Sequence, residues 1–358
     1  MPNRTNIKTS AKAPRCLVMA FGARGVGDHV SCSSFIRNLA QNHPEATIDF
    51  GAFSPIGSEL FKHNPYIRKI HVLDMNYLKF GGEYSLLQKI RYIQSFRKNH
   101  YDKVYVLSTK FRHAVFAWLI GGKERIGYGN HHRGFMLTKV GIEPVEKNVA
   151  ERFLDVLSLD GLRIFNPFIE LFLSDDEIAF ADTIFRDHGI APEETVVALS
   201  PFASDMRKTW GFGCFAMIAE RLILDKGYKV LILGASHDMS ILHPNPFLKH
   251  PSIINLVGKL SILETAAVIK RSSLLLSNDS GLGHIAGAVG TKVVILGTLM
   301  AKQWYPLAKS VETISKDVGC TSCDLKVCDK YEGGTPLCLG SISVDEVIQK
   351  LDYMLHTP

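Results

Sequence analysis

Short apolar runs rich in β-branched residues alternate with longer amphipathic segments along most of the chain, and this alternation is the strongest constraint on the fold. Apolar runs of about four to eight residues bounded by turn residues are typical of buried strands, whereas longer segments with one apolar face are typical of helices. Strands that alternate with helices favour a parallel sheet covered on both faces. The sequence therefore predicts an α/β protein built from βαβ units.

The predicted elements form two groups. In the first half, strands are expected at residues 16–21, 47–53, 69–73 and 103–108, and helices at 29–42, 84–98 and 111–120. In the second half, strands are expected at 195–200, 229–234, 253–256, 274–277 and 292–296, and helices at 212–226, 262–270, 281–289 and 344–355. A length of 358 residues fits two domains at about 100–200 residues each.

The segment between the two groups carries the signals of a domain boundary. Pro167 and Pro192 flank the pattern Ser174-Asp175-Asp176-Glu177, which predicts a helix that begins with a capping box. We place the boundary near residue 170, so that residues 1–170 and 171–358 form two doubly wound domains facing each other across a cleft. Open α/β sheets bind ligands at the carboxyl ends of their strands, which directs attention to the segments that follow the strands.

Charge is divided unequally between the two halves. Residues 1–150 contain 22 Lys and Arg against 10 Asp and Glu, whereas the remaining residues contain 19 against 25. This asymmetry predicts that the first half meets an anionic partner, such as an anionic glycan, a glycolipid or a membrane surface. Nucleic acid is not expected, because the sequence has no zinc-finger spacing and no RNA-binding aromatic motif.

The beginning of the sequence was tested for a targeting signal. Basic residues precede the apolar run Cys16–Ala23, but this run is short, stops at Arg24 and leads into a glycine turn instead of a cleavage site. The chain also lacks an apolar stretch of the about 18 residues that a spanning helix needs. We therefore expect a cytoplasmic protein whose cysteines are thiols.

The first segment that could carry chemistry is residues 21–29, directly after the first predicted strand. Its glycines allow a tight turn, and Asp28 stands where a helix begins, next to exposed N–H groups. Two hypotheses remain open for Asp28: a helix N-cap only, or a functional carboxylate. The spacing is not that of a dinucleotide-binding fingerprint, and the P-loop lysine is absent.

Two further segments are suited to an anion. Residues 200–210 place small hydroxyl residues, including Ser204, and then Lys208 after a strand; this predicts a phosphate site, or simply a solvated loop. Residues 277–290 place Asp279 and Ser280 as candidate N-caps before a glycine-rich helix, whose first N–H groups at Gly281 are left open to an anion. His284, one turn further on, would either pack in the core or point at the ligand.

The fourth segment is a cluster of cysteines, Cys320, Cys323, Cys328 and Cys338. Thiolates at this spacing could hold a structural Zn²⁺ or iron, form labile disulfides, or remain unpaired in a loop. The other cysteines, Cys16, Cys32 and Cys214, lie in strand or helix patterns and are expected in the core.

Taken in order, these segments resemble glycosyltransferase family 9, the ADP-heptose:lipopolysaccharide heptosyltransferase family. The resemblance rests on Gly27-Asp28 after the first strand, on Lys208-x-Trp210, on residues 279–290 and on the cysteine-rich tail. It implies a GT-B fold, α/β with two doubly wound Rossmann-like domains, and an inverting, metal-independent transfer of a sugar from a nucleotide-sugar donor that requires no cofactor. The sugar would be heptose, from ADP-heptose, or another sugar.

The resemblance also assigns roles to residues. The first domain would bind the acceptor, a lipopolysaccharide core or related anionic glycan or glycolipid, and the second would bind the donor. Asp28 matches the position of the family's proposed general base, and Lys208, Ser280 and Gly281 match its diphosphate-binding positions. Peripheral association with the cytoplasmic face of the inner membrane would follow from such an acceptor. The remaining candidates are Ser204, Asp238, Asp279 and His284 on the donor side, and Arg24, Lys110, Arg112 and Arg133 on the acceptor side.

Two alternatives are kept open. A nucleotide-sugar epimerase shares the GT-B architecture and a diphosphate site between domains, and would turn over the donor without any acceptor. A protein-modifying heptosyltransferase assembled around a metal-binding cysteine cluster would instead contain stoichiometric iron and form a large oligomer.

Overall fold

The computed structural model describes residues 13–20, 25–78, 83–129, 133–241, 250–298, 303–320, 328, 330–332 and 335–357. Within these ranges, none of the helices combines the length and the apolar composition needed to cross a bilayer.

The first sheet contains six parallel strands in the order β3-β2-β1-β4-β5-β6. The strands are β1 (Arg15–Ala20), β2 (Thr47–Ala52), β3 (Ile67–Val72), β4 (Lys103–Leu107), β5 (Glu124–Tyr128) and β6 (Lys139–Gly141). The helices are α1 (Val26–Val30), α2 (Ser33–Asn42), α3 (Pro55–Leu60), α4 (Leu86–Arg97), α5 (Phe111–Leu119) and α6 (Val149–Leu159).

The second sheet repeats this order, as β9-β8-β7-β10-β11-β12, again with parallel strands. Its strands are β7 (Val196–Ser200), β8 (Lys229–Ile232), β9 (Ile253–Asn255), β10 (Leu274–Asn278), β11 (Lys292–Leu296) and β12 (Val311–Ile314). Its helices are α7 (Asp175–Asp187), α8 (Phe212–Leu224), α9 (Ile262–Arg271), α10 (Gly281–Val289), α11 (Leu337–Gly340) and α12 (Val344–His356), and a small hairpin pairs β13 (Tyr331–Glu332) with β14 (Thr335–Pro336).

Both sheets therefore have the Rossmann strand order, which confirms the prediction of two doubly wound halves. In each sheet the order of the strands reverses between the first and the fourth strand of that sheet. This switch point lies between β1 and β4 in the first sheet and between β7 and β10 in the second. The central strands β1 and β10 are buried almost throughout, because helices cover both faces. Such strands appear in the sequence as continuous apolar runs, so they were predicted to within a residue or two.

The elements that sequence reasoning missed lie mainly at the margins of the sheets. β5, β6 and β12 are short, carry charged residues or glycine and lie at or next to a sheet edge, so their apolar pattern is weak. α3, α6 and α11 were also missed, although α6 has a capping box between Asn148 and Glu151. The helix predicted at 29–42 is two helices, α1 and α2. The helix predicted to begin after Ser174 is confirmed as α7, with the capping box formed by Ser174 and Glu177.

The chain passes from the first sheet to the second through a segment held from both sides. Arg37 of α2 pairs with Glu170 at 2.5 Å and donates to the carbonyls of Asn166 and Phe168. On the other side, the Ile169 N–H donates to the Leu307 carbonyl, and the Leu171 N–H donates to the Ala288 carbonyl of α10. The division predicted near residue 170 falls within this segment, and it stays a prediction.

A buried carboxylate ties β2 to its neighbours in the first sheet. Asp49 is fully buried and accepts hydrogen bonds from the Arg68 guanidinium at 2.9 and 2.7 Å and from the Tyr101 hydroxyl at 2.7 Å, with His71 at 3.4 Å. Burial acts to raise the pKa of Asp49, but the hydrogen bonds from His71, Arg68 and Tyr101 lower it to about 2. The ionised carboxylate is therefore part of the folded structure.

Because of this carboxylate, the free energy of unfolding should depend on pH in the acid range. A pKa near 2 in the folded state, below the unfolded value of about 3.9, stabilises the fold by about 2.5 kcal/mol above about pH 5, and this contribution is lost as the pH falls toward 2. We expect the difference in unfolding free energy between wild type and Asp49→Asn to shrink by about 1.5 kcal/mol between pH 5 and pH 2.5 in urea titrations. Asp182→Asn, at an exposed position, is the control, and a pH-independent difference for Asp49→Asn would contradict this assignment.

Candidate active site between the two sheets

The segments that follow β1, β7 and β10 meet where the two sheets face each other. Helices α1 and α10 pack against one another, one from each sheet. A Cβ added to Gly27 would lie 2.7 Å from the His284 ring, and one added to Gly281 would lie 2.6 Å from the Cβ of Val26. The two glycines thus allow two helix N-termini, with their exposed N–H groups, to approach closely.

Asp28 lies in the first turn of α1 and is half-buried. The N-cap of α1 is Gly25, and no side chain caps the helix, so the hypothesis that Asp28 serves only as an N-cap is wrong. Among the described residues, none donates a hydrogen bond to its carboxylate. Asp28 thus lies at the face where α1 meets α10, with no donor from the described residues on its carboxylate.

His29, which sequence reasoning did not single out, anchors this turn. Its ring is fully buried, and its Nδ1 donates to the Gly25 carbonyl at 2.9 Å. Burial lowers the pKa of His29, so the ring is neutral and keeps its proton on Nδ1. A Cβ on Gly57 would collide with the ring, so α3 also presses on His29. The turn of α1 that carries Asp28 is thereby held against α3.

Lys208 and Asp279 come together across the reversal point of the second sheet. Lys208 follows β7 and Asp279 follows β10, and their Nζ and Oδ2 atoms are 2.7 Å apart. The lysine side chain is 33% exposed and the carboxylate 10%, so the ammonium group remains partly open to solvent. The structure therefore brings together two of the predicted donor-side residues, and Asp279 pairs with Lys208 instead of capping α10.

Asn278 holds the loop that carries Lys208. Its side-chain oxygen accepts the Trp210 N–H at 3.0 Å and its side-chain nitrogen donates to the Pro201 carbonyl at 2.7 Å. Trp210 is buried, and its indole N–H donates to the carbonyl of Ile342. Asn278 was not predicted as a site residue. A polar residue closing an otherwise apolar strand was the signal in the sequence, because a fully buried amide must be satisfied by hydrogen bonds.

The N-terminus of α10 has no side-chain cap among the described residues. Ser280 is the N-cap residue, but its hydroxyl contacts Ser277 at 2.9 Å and caps no N–H of the helix. The amides of Gly281 and Leu282 have no acceptor among the described residues. Backbone N–H groups at the positive end of a helix form an anion-binding site, and the ammonium group of Lys208 adds positive charge on the neighbouring loop.

His284 is buried between the two sheets. Burial lowers its pKa, although the carboxylates of Asp279 and Asp28 act to raise it. The ring is therefore neutral and lies within electrostatic reach of both carboxylates, against Gly27. The expectation that the ring packs in the core is confirmed, and its role toward a ligand stays a prediction.

Gly27 should be intolerant of any side chain. In Gly27→Ala the new methyl group would collide with the His284 ring, so α1 and α10 must separate. A displacement of about 1 Å at a catalytic group costs up to about 10²-fold in rate, so we expect the rate of the reaction carried out at this site to fall by about this factor. The readouts are initial rate and melting temperature. Gly213→Ala is the control, because a Cβ at Gly213 meets nothing within 4 Å. An active Gly27→Ala variant would contradict this account of the junction.

The other predicted donor-side residues lie on neighbouring loops. Ser204 is exposed in the loop after β7. Asp238 is 6% exposed and accepts the Ala235 N–H at 2.7 Å, so its carboxylate closes its own turn after β8. Sequence reasoning did not foresee this local role.

The acceptor-side candidates follow β4 and β5. Lys110 is the N-cap residue of α5, and its side chain is exposed. Arg112 is also exposed, and its Nε donates to Nε2 of His113. Burial, together with Arg112 and Lys110, lowers the pKa of His113 to about 2. Arg133 begins a 3-10 turn after β5, and Arg24 lies outside the described residues.

The predicted cysteine cluster is described only in part. Cys320 is exposed, Cys328 and Cys338 are half-buried, and Cys323 lies outside the described residues. Among the described residues, no group of three or more His, Cys, Asp or Glu side chains could hold a metal ion. The metal site stays a prediction. Cys16 and Cys32 are in the core as expected, whereas Cys214 is only half-buried.

Comparisons with known proteins agree with the fold. Lipooligosaccharide heptosyltransferase 2 of Haemophilus influenzae is 24% identical over 94% of this chain and 99% of its own length. The solved ADP-heptose lipopolysaccharide heptosyltransferase II of E. coli superposes with a TM-score of 0.72 at 22% identity, over 95% of this chain and 98% of that chain. A family 9 glycosyl transferase of Veillonella parvula superposes with a TM-score of 0.79 at 19% identity, over 96% and 98%.

The fold is therefore GT-B, as predicted. The family and its relatives do not favour the epimerase or the protein-modifying alternative. The model of glycosyltransferase family 9 (heptosyltransferase) matches residues 89–332, more than half of the chain, so this chain belongs to glycosyltransferase family 9 and is a glycosyltransferase.

Proposed function

We propose that this enzyme transfers a heptosyl group from ADP-heptose to the core of a lipopolysaccharide. The names of its relatives support the donor and the acceptor. The observation that carries the proposal is the junction of α1 and α10, where the uncapped end of α10 and the Lys208–Asp279 pair face the helix that bears Asp28.

The positive charge near the end of α10 indicates how the diphosphate of the donor would bind. A diphosphate placed at the end of α10 would accept hydrogen bonds from the amides of Gly281 and Leu282 and meet the Lys208 ammonium group. Asp279 would keep Lys208 oriented before the donor arrives. As the bond between the sugar and the diphosphate breaks, these groups would stabilise the charge that develops on the leaving ADP.

On the acceptor side, Asp28 would act as the general base. Its carboxylate would take the proton of the attacking hydroxyl while the oxygen forms a bond to the anomeric carbon, on the face opposite the leaving diphosphate. The sugar is then transferred with inversion. The leaving group is stabilised by Lys208 and helix N–H groups, so this scheme requires no metal ion or cofactor.

The basic first half supports an anionic acceptor. Lys110 and Arg112 are exposed after β4, at the same edge of the sheet as Asp28 after β1, and are suited to the phosphates or carboxylates of a glycolipid. A lipid-linked acceptor of this kind would bring a cytoplasmic enzyme to the inner face of the inner membrane.

The direct test is transfer with purified protein. With ADP-heptose and a deacylated core oligosaccharide, we expect one heptosyl group to be added and ADP released, equally well in the presence of EDTA. UDP- and GDP-sugars serve as negative controls for the donor. They should show no binding in calorimetry and no transfer. Donor turnover in the absence of acceptor, or a failure to bind any ADP-sugar, would overturn the proposal.

A further inference from the structure

Helix α4 presents an apolar surface that no described element covers. At its N-terminal end Leu86 is 73% exposed, Leu87 66% and Ile90 40%. The opposite side of the helix is packed, since Phe96 is buried against Phe116 of α5. Isolated exposed leucines are common, but three apolar side chains grouped within two turns at a helix end mark an interaction surface.

The charges on the same helix are all of one sign. α4 and the residue that follows it contain no Asp or Glu, and their basic residues are Lys89, Arg91, Arg97 and Lys98. Arg91 is exposed one turn after Leu87. An apolar end combined with basic flanks is typical of helices that enter the headgroup region of an anionic bilayer.

The exposed end of α4 is held rigidly. A capping box between Ser85 and Gln88 begins the helix. The Tyr77 ring stacks on Tyr84 at 3.7 Å and on Tyr92 at 4.1 Å, which attaches the preceding segment to the helix. Leu86 and Leu87 follow directly after this stack. They are therefore exposed on a helix whose first turn is held in place by the capping box and the stacked rings.

The position of this end relates it to the active site. α4 connects β3 to β4, which are parallel strands, so the helix runs back across the sheet and begins at the edge where the strands end. Asp28 after β1 and Lys110 after β4 lie at the same edge. A membrane touching the end of α4 would therefore face the side of the domain on which an acceptor binds.

We propose that Leu86, Leu87 and Ile90 of α4 insert into the surface of an anionic phospholipid bilayer and hold the acceptor-binding edge of the enzyme against it. This inference rests on the proposed function for its biological purpose. The surface itself is defined by exposure and charge, so it can be tested without donor or acceptor.

The test is co-sedimentation of the full chain with vesicles, without any sugar substrate. Wild type should sediment with vesicles rich in phosphatidylglycerol and much less with pure phosphatidylcholine vesicles. Leu86→Ser/Leu87→Ser/Ile90→Ser should lose about tenfold or more in vesicle affinity, because apolar insertion and charge act together. The control is Met217→Ser/Leu224→Ser, which removes apolar side chains of similar exposure from α8 and should bind as wild type.

Three results would overturn the proposal. The first is a wild-type chain that does not sediment with anionic vesicles, and the second is a triple variant that binds them normally. The third is a triple variant that shifts from dimer to monomer in light scattering, which would assign the surface to a second copy of the chain. Transfer to the deacylated acceptor should be unchanged in the triple variant. If neither wild type nor any variant transfers sugar, the proposed function is contradicted. The vesicle result would still stand, because it is measured without sugar substrates.

Discussion

Replacing Asp28 by Asn is expected to lower the rate of sugar transfer by about 10²–10⁴-fold, the usual cost of losing a general base. Asn has the same size as Asp but cannot accept the proton of the attacking hydroxyl. Because the N-cap of α1 is Gly25, the substitution removes no capping interaction, and the melting temperature should stay close to that of wild type. The measurement is the initial rate with ADP-heptose and a soluble acceptor.

Nucleotide binding provides the internal control for this variant. In the proposed mechanism Asp28 acts on the acceptor, so the dissociation constant for ADP should be nearly unchanged in calorimetry. Asp182→Asn, at an exposed carboxylate paired with Arg271, should transfer sugar normally. Near-normal turnover in Asp28→Asn would refute the general-base role without affecting the fold.

The second large effect is expected at Lys208. A ligand that binds only the native state stabilises it by about 2.7 kcal/mol at 100 times its dissociation constant. We expect ADP to raise the melting temperature of wild type and Lys208→Ala to lose most of that increase, because in the proposed mechanism the ammonium group and the end of α10 hold the same diphosphate. The measurement is the ADP-induced shift, since the unliganded variant also leaves the Asp279 carboxylate without its partner.

Lys226→Ala supplies a matched control for Lys208→Ala. Lys226 is similarly exposed, at 35%, and pairs with Asp352 at 2.8 Å on helix α12. It should keep the full ADP-induced shift. An equal shift in Lys208→Ala and in wild type would exclude Lys208 as a diphosphate ligand.

The segments of the site could be found from the sequence because their signals are local. A buried parallel strand is an apolar run, and the residues that follow it lie at the edge where such sheets bind ligands. This reasoning located the segments of Asp28, Lys208 and Asp279. It missed β5 and β12, because edge or short strands need fewer apolar residues and take their pairing from neighbours distant in the sequence.

The roles of individual residues depended on contacts that no local pattern contains. Asp279 looked like an N-cap, but Lys208 lies close enough to pair with it. Asp238, predicted on the donor side, accepts a hydrogen bond from the Ala235 N–H of its own turn, and its role toward the donor stays a prediction. The Asp279 side chain had more than one possible partner, and tertiary distance decided between them.

The amino-acid sequence by itself determined that the chain forms two doubly wound halves, since apolar periodicity and helix caps act over a few residues. It also determined that three glycine- or lysine-bearing segments follow the strands at the edges where ligands bind. Only the tertiary structure decided that α1 and α10 meet through Gly27, Gly281 and His284, and that no described part of the chain covers the apolar end of α4. The physical reason is that close packing and burial are properties of surfaces brought together by the whole fold, which no short stretch of sequence specifies.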